Sequence, residues 1–194
     1  MTRGLLLTLS GPSGVGKTTI AHDLLRRFGG LFSVSCTTRA PSPGELDSVD
    51  YRFISEGSFL ARVKDGAFIE HATVFGRCHY GTPRAPVETA LAAGELVVLD
   101  IDVQGAEQVH AAVPDMLGVF ILPPSDQILL DRLRQRGRED EPAIQRRFAE
   151  SRREMARART NGVYDAFIVN DDLAGAIEQV ADLVASRLGR VQAS

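Results

Sequence analysis

Residues 11–18 read Gly11-Pro12-Ser13-Gly14-Val15-Gly16-Lys17-Thr18. This is the spacing G-x-x-x-x-G-K-[ST], in which glycines let successive backbone N–H groups converge on one anion. A lysine closing it reaches outer phosphates, and the hydroxyl that follows can hold Mg²⁺. The chemistry expected of residues 11–18, with Thr19 beside them, is therefore capture of the phosphates of a nucleotide. Asp100 is a second candidate. It ends the apolar run Leu96-Val97-Val98-Leu99, and a carboxylate at the end of a buried strand can hold the water shell of Mg²⁺. An ordinary surface acid after a strand is the alternative. Only two of the 22 basic residues, Lys17 and Lys64, are lysines. A lysine kept at the motif position points to a need for an ammonium there.

A third group is the run Arg132, Arg134, Arg136, Arg138, Arg146, Arg147, Arg152, Arg153, Arg157 and Arg159. The plain reading is a solvated helical face paired with Glu139, Asp140, Glu141, Glu150 and Glu154. The sharper one is a hinged lid. Arg132 and Arg136 share a helix face, and Gly137–Glu141 is a short charged link with Arg147 just beyond. Arginines brought over a triphosphate neutralise transferring charge. A nucleic-acid patch fits poorly, because no aromatics interleave and the net charge is -3.

These residues need elements to hold them. Leu5–Leu9 reads as a buried strand ahead of the glycine loop, and residues 17–28 as a helix stopping at Gly29-Gly30. Phe32–Ser35 reads as a strand, 36–50 as a loop, Tyr51–Ile54 as a strand. Ser55 caps a helix ending near Asp65-Gly66, and Ala67–Val74 is a strand. Thr82-Pro83 starts a helix that ends at Gly94. Leu96–Ile101 is apolar on both faces, as in a parallel sheet. Then come a helix over 104–112, a strand over 118–122, helices over 125–136 and 142–159, a strand over 167–169 and a helix over 172–188. The expected fold is α/β: a three-layer core with a parallel sheet, carrying an inserted α+β lobe in the strand-rich segment 36–90.

Composition agrees with a globular enzyme. The 194 residues are 44% apolar and 24% charged, enough for a core and against disorder. No apolar run approaches the roughly 20 residues of a membrane helix. The short apolar start lacks a signal-peptide cleavage pattern. Cys36 and Cys78 make no disulfide framework. The expected setting is cytoplasmic and reduced, without a membrane or nucleic-acid partner; the oligomeric state is not legible.

At this point the sequence resembles guanylate kinase, a P-loop nucleoside monophosphate kinase. The segments are the phosphate loop; Ser33-Val34-Ser35-Cys36-Thr37-Thr38-Arg39; Asp50-Tyr51-Arg52-Phe53; Phe68-Ile69-Glu70-His71-Ala72; Tyr80-Gly81-Thr82; Leu99-Asp100-Ile101-Asp102-Val103-Gln104-Gly105-Ala106; Ile121-Leu122-Pro123-Pro124-Ser125; and Val169-Asn170-Asp171-Asp172. They occur in family order across nearly the whole chain. The resemblance implies phosphoryl transfer from MgATP to GMP, and to dGMP, giving ADP and GDP and so recycling GMP in purine nucleotide metabolism. It implies a core over 1–35, 91–125 and 156–194, a GMP lobe over 36–90 and a helical lid over 126–155. By matched position, Ser35, Glu70 and Asp102 would read guanine. Arg39, Tyr51 and Tyr80, with Thr82 close by, would hold the GMP phosphate. Lys17, Arg39, Arg132, Arg136 and Arg147 would act on the phosphoryl groups. Asn170 would lie near the ATP adenosine, and Thr18 and Asp100 would serve Mg²⁺, the latter through water.

Two departures stand out. Where the family usually reads Thr-Thr-Arg-x-Pro-Arg, Pro41 is followed here by Ser42, so one arginine is missing. The loop Gly76-Arg77-Cys78-His79-Tyr80-Gly81 carries one extra residue, and Arg77 is a candidate replacement charge. The scattered His22, His71, His79 and His110 form no catalytic constellation, and none is needed. A phosphate with second pKa near 6 is largely dianionic at pH 7 and already a nucleophile. Guanine's N1–H and exocyclic amine suit carboxylate acceptors, whereas adenine would leave them unsatisfied. A sugar-phosphate kinase of the same fold needs no guanine reader. A non-catalytic binding module of this family needs neither Lys17 nor Thr18.

Overall fold

The computed structural model describes residues 4–74, 78–135 and 140–192. Its main sheet has five parallel strands. β1 (Leu5–Ser10) lies at the centre, between β7 (Leu96–Asp100) and β8 (Leu117–Leu122). Beyond β7 lies the short β2 (Leu31–Phe32), and beyond β8 lies β9 (Ala166–Val169). Every position of β1 and β8 is buried, because helices cover both faces of the sheet.

Alternation along the strands divides the core. Leu5, Leu7, Leu9 and Val98 face α1 (Lys17–Phe28) and α7 (Leu173–Gln192), meeting Ile20, Leu24, Val180 and Val184. Leu6, Val97 and Leu99 face the other way, onto Val87 of α3 (Arg84–Ala92) and Val109 of α4 (Val103–Ala112). The family-like α/β architecture expected from the sequence is present.

A second sheet orders β4 (Arg52–Phe53), β3 (Cys36–Thr37), β6 (Cys78–Pro83) and β5 (Phe68–Val74). Its small core is Cys36, Phe59 and Phe68, with Phe59 supplied by α2 (Glu56–Lys64) and stacked on Phe68 at 4.7 Å. Ser55 caps α2 by accepting from Ser58 N, as the sequence predicts. Last, α5 (Asp126–Gln135) and α6 (Glu141–Ala158) pair through Leu129, Leu133 and Ile144.

Three boundaries differ from the sequence reading. Phe32–Ser35 is not one strand: residues 31–32 join the parallel sheet, while Cys36 and Thr37, expected in a loop, join the lobe sheet. The chain crosses between sheets there, and no periodicity marks the crossing. Thr82 and Pro83 do not open a helix. They end β6, with Pro83 extended at ψ 128 as the cap before Arg84. β6 itself alternates too weakly to read; its pairing with β3 and β5 creates it.

Candidate active site

The phosphate loop joins the buried β1 to α1. Gly11, Gly14 and Gly16 take φ of 142°, 84° and 99°, a region costly for side chains. Lys17 heads the helix, where its Nζ donates to the carbonyls of Gly11 at 2.8 Å and Pro12 at 3.3 Å. The ammonium is thus held at the mouth of the loop. Register between β1 and β7 sets Leu9 beside Asp100. That brings Asp100 Oδ2 to 3.1 Å from the donating Thr18 hydroxyl and Oδ1 to 3.6 Å from Lys17 Nζ. A hydroxyl and a carboxylate side by side are hard oxygen donors, a set that suits Mg²⁺. No cluster of three His, Cys, Asp or Glu side chains forms a metal site among the described residues.

Asn170 follows β9. Its side chain is 4% exposed and donates to Val15 O at 2.8 Å, bracing the far side of the loop. Its carbonyl accepts from Arg132 Nη2 at 3.2 Å, which fixes that arginine against the phosphate-loop end of the cleft.

The opposite wall comes from the lobe. Glu70 on β5 lies opposite Thr82 on β6 and accepts from its hydroxyl at 2.6 Å. Ser35 Oγ lies 3.4 Å from the same hydroxyl. Glu70 is 4% exposed; burial pushes its carboxyl up to about 7, with Asp102 adding to the rise and the Thr82 hydrogen bond opposing it. Asp102 caps α4, its Oδ1 accepting from Gly105 N at 2.7 Å. The two carboxylates are therefore brought together across the lobe–core junction. Gln108 holds that junction, donating to His71 O at 2.8 Å and accepting from His71 N at 3.1 Å. Gly105 leaves the Glu70 carboxylate its place, since a Cβ there would come within 2.9 Å of Glu70 Oε2 and displace it.

Next to them stand Tyr51 and Tyr80, edge to face at 5.8 Å. Arg39 donates from Nε to the Tyr80 hydroxyl at 3.0 Å, and its guanidinium lies 4.9 Å from the centre of the Tyr51 ring. Burial and the Tyr80 charge raise the pKa of the Tyr51 hydroxyl.

All these walls enclose one cleft of about 930 Å³, lined by the phosphate loop, Ser35, Tyr51, Glu70, Tyr80, Asp100 and Asp102. Arg132 and Arg147 reach it from α5 and α6. Arg39, Thr82 and Asn170 stand one layer behind, holding groups that line it. Arg136 and Arg77 lie outside the described residues.

The arginine run splits in two. Arg134 pairs with Glu141, Arg152 with Asp126, Arg153 with Glu150 and Arg157 with Glu107, the solvated-face reading. Glu154 departs from that reading. With Arg147, Glu150 and Ser151 it forms the α6 stripe that lines the cleft, and burial pushes its carboxyl up to about 7. The sequence reading also missed Glu45, whose carboxylate meets Arg39 at 2.6 and 2.7 Å, and Gly105. The Asp-x-x-Gly spacing at 102–105 hints at the cap, but nothing local marks either contact with the site.

Comparison with known proteins gives a consistent answer. Residues 3–187 match the family model described as guanylate kinase. A guanylate kinase of Maricaulis maris is 48% identical over 193 residues, 98% of this chain and 87% of that protein. One of Symbiobacterium thermophilum is 45% identical, covering 97% and 88%. The crystal structure of guanylate kinase from Anaplasma phagocytophilum superposes with a TM-score of 0.79 at 32% identity, over 96% of this chain and 87% of that one. A phosphate loop and the Glu70–Asp102 carboxylate pair facing each other across one cleft, in a chain with these relatives, place the protein in the guanylate kinase family.

Proposed function

We propose that the protein transfers the γ-phosphoryl group of MgATP to GMP and dGMP, giving ADP and GDP or dGDP, by direct in-line attack of the acceptor phosphate. It recycles GMP in the cytoplasm. Residues 1–35, 91–125 and 156–194 act as the core, 36–90 as the GMP lobe and 126–155 as the lid. The observation that carries the reading is Glu70, a carboxylate 4% exposed whose burial raises its pKa and is only partly offset by the Thr82 hydrogen bond. A guanine N1–H and amine would satisfy it, and Asp102 with its remaining oxygen would share the donors. Ser35 and Thr82 set the position of the Glu70 carboxylate.

The acceptor phosphate lies against Tyr51 and Tyr80, with Arg39 behind them. Residues 11–19 wrap the ATP phosphates, with Asn170 keeping the loop in shape. Lys17 leaves its carbonyl partners for the outer phosphates. Arg132, Arg136 and Arg147 surround the group in transit. Repulsion between two polyanions is the main barrier, and these cations lower it where charge develops. Thr18, directly, and Asp100, through water, would hold Mg²⁺, which when bound shields the phosphate charge. No protein base is needed, because the dianionic acceptor is the nucleophile.

The test is a coupled assay of ADP formation with MgATP and GMP, dGMP, AMP, UMP, CMP or ribose phosphates. Turnover confined to the guanine nucleotides is the expected result. Turnover of a sugar phosphate without GMP would overturn it, and ATP binding with no turnover of any acceptor would mark a non-catalytic module.

A further inference from the structure

We propose that Glu45 is a positioning residue for GMP, acting through Arg39; the inference rests on the functional reading above. Residues 42–45 read Ser-Pro-Gly-Glu. Pro at the second and Gly at the third position favour a type II turn, which needs positive φ at the third residue. Gly44 has φ 87° and Glu45 N donates back to Ser42 O at 3.1 Å. The tight turn also lets Ser42 N donate to Glu45 Oε2 at 2.7 Å. The carboxylate is thus anchored to its own turn before it meets any partner.

From there it grips Arg39 end-on. Oε2 accepts from Nη1 at 2.7 Å and Oε1 from Nη2 at 2.6 Å. Nη1 also lies within reach of Ala40 O at 2.9 Å and Ser42 Oγ at 3.3 Å. A guanidinium has two edges that can make paired hydrogen bonds. Glu45 occupies the Nη1–Nη2 edge, so the Nε–Nη2 edge is turned to the Tyr80 hydroxyl at 3.0 Å, with the plane held over Tyr51. Arg39 thereby holds Tyr51 and Tyr80, which line the cleft where the acceptor phosphate would lie. Arg39 and Glu45 are both about one-fifth exposed, so both charges are largely withdrawn from water and depend on the pair staying intact.

The sign of the effect discriminates. Glu45 carries negative charge near a dianion. If it acted only through that charge, its removal would tighten GMP binding. As a positioning residue, its removal loosens Arg39 and weakens GMP binding. Loosening Arg39, and with it the Tyr51 and Tyr80 rings it holds, is expected to raise the KM for GMP roughly tenfold in Glu45→Ala, with the KM for ATP nearly unmoved. Glu45→Asp, which keeps the charge on a shorter arm, recovers part of the loss.

The deciding experiment is the cycle of Arg39→Ala, Glu45→Ala and the double variant, read as KM for GMP and KM for ATP. Positioning predicts that Glu45→Ala adds nothing once Arg39 is gone. An unchanged or lowered KM for GMP in Glu45→Ala, or a full additive effect in the double variant, overturns the proposal. Gly44→Ala is the second probe: it strains the turn at positive φ with open space around its Cβ, and should raise the KM for GMP without touching Glu45 itself. If the unaltered protein turns over ATP with another acceptor and not GMP, the functional reading fails first, and this inference with it. GMP turnover with an unresponsive Glu45→Ala sinks this inference alone.

Discussion

Glu70 is the side chain on which the proposed guanine selectivity rests, and its burial carries a cost. Its folded carboxyl titrates near 7, above the ordinary glutamate value, because burial penalises the charge. Between the unfolded and folded values the native state holds more protons, so stability falls as pH rises from about 4.5 to 7. Glu70→Gln should remove that slope, and the free protein should gain stability near neutral pH, read by urea denaturation at several pH values. In the proposed reading, guanine is held by the ionised form. GMP affinity should therefore rise with pH through about 7, over and above the titration of GMP's own phosphate. In Glu70→Gln that component vanishes and GMP loses its advantage over other nucleotides. A pH profile of KM for GMP identical in both proteins would count against Glu70 as the guanine reader. Lys17 belongs to the same scale. Lys17→Ala removes the ammonium now held by Gly11 and Pro12 carbonyls, and should cost orders of magnitude in kcat while leaving GMP binding intact in equilibrium dialysis.

Among the elements, α4 and α6 carry the site across domain lines. The N-terminus of α4 presents Asp102 and, one turn on, Gly105 packs against the Glu70 carboxylate. Gly105→Ala would improve helix propensity by about 1 kcal/mol, yet its methyl needs space held by Glu70 Oε2. The net expectation is a loss of GMP affinity with little loss of stability, measured by KM and Tm together. For α6, the cap is Asp140, whose Oδ1 accepts from Ala143 N at 2.9 Å. Asp140→Ala should destabilise that helix by about 1 kcal/mol, and fray the end nearest Arg147. Arg157 ties the other end to Glu107 of the core helix α4, whereas the first turns are held to α5, its partner in the hairpin, through Arg134–Glu141 and Ile144. Hydrogen exchange should accordingly be faster at residues 141–147 than at 152–158. The element types were largely legible: the 17–28 and 56–64 helices and the buried β1, β7 and β8 follow from periodicity and caps. The short β3 and β6 were not, because their strand character comes from partners distant in sequence.

At the scale of the whole molecule, the parallel core is the stable platform and both substrate walls are attached to it. Leu7 sits on the central strand at 0% exposure, and Leu7→Ala should cost about 2–5 kcal/mol. Leu60, 51% exposed on the lobe, should tolerate alanine within about 0.5 kcal/mol. Guanidinium denaturation of the two variants gives the comparison. If ATP engages the parallel core and GMP the second sheet, as proposed, the two together should raise Tm more than either alone.

The sequence by itself determined the phosphate loop, the acid at the end of β7 and the alternating α/β plan. Each is written in contiguous residues whose spacing alone dictates geometry: glycines that curl a loop, an apolar run that buries both faces. The resemblance then named Ser35, Arg39, Tyr51, Glu70, Tyr80 and Asp102 by matched position. Tertiary structure alone decided how they cohere. Only folding sets Glu70 against Gly105 of α4 and turns Glu154 inward from an arginine-rich helix. Those contacts arise where separate elements cross. Their energetics depend on burial and on distances between residues far apart in the chain, which no local pattern encodes.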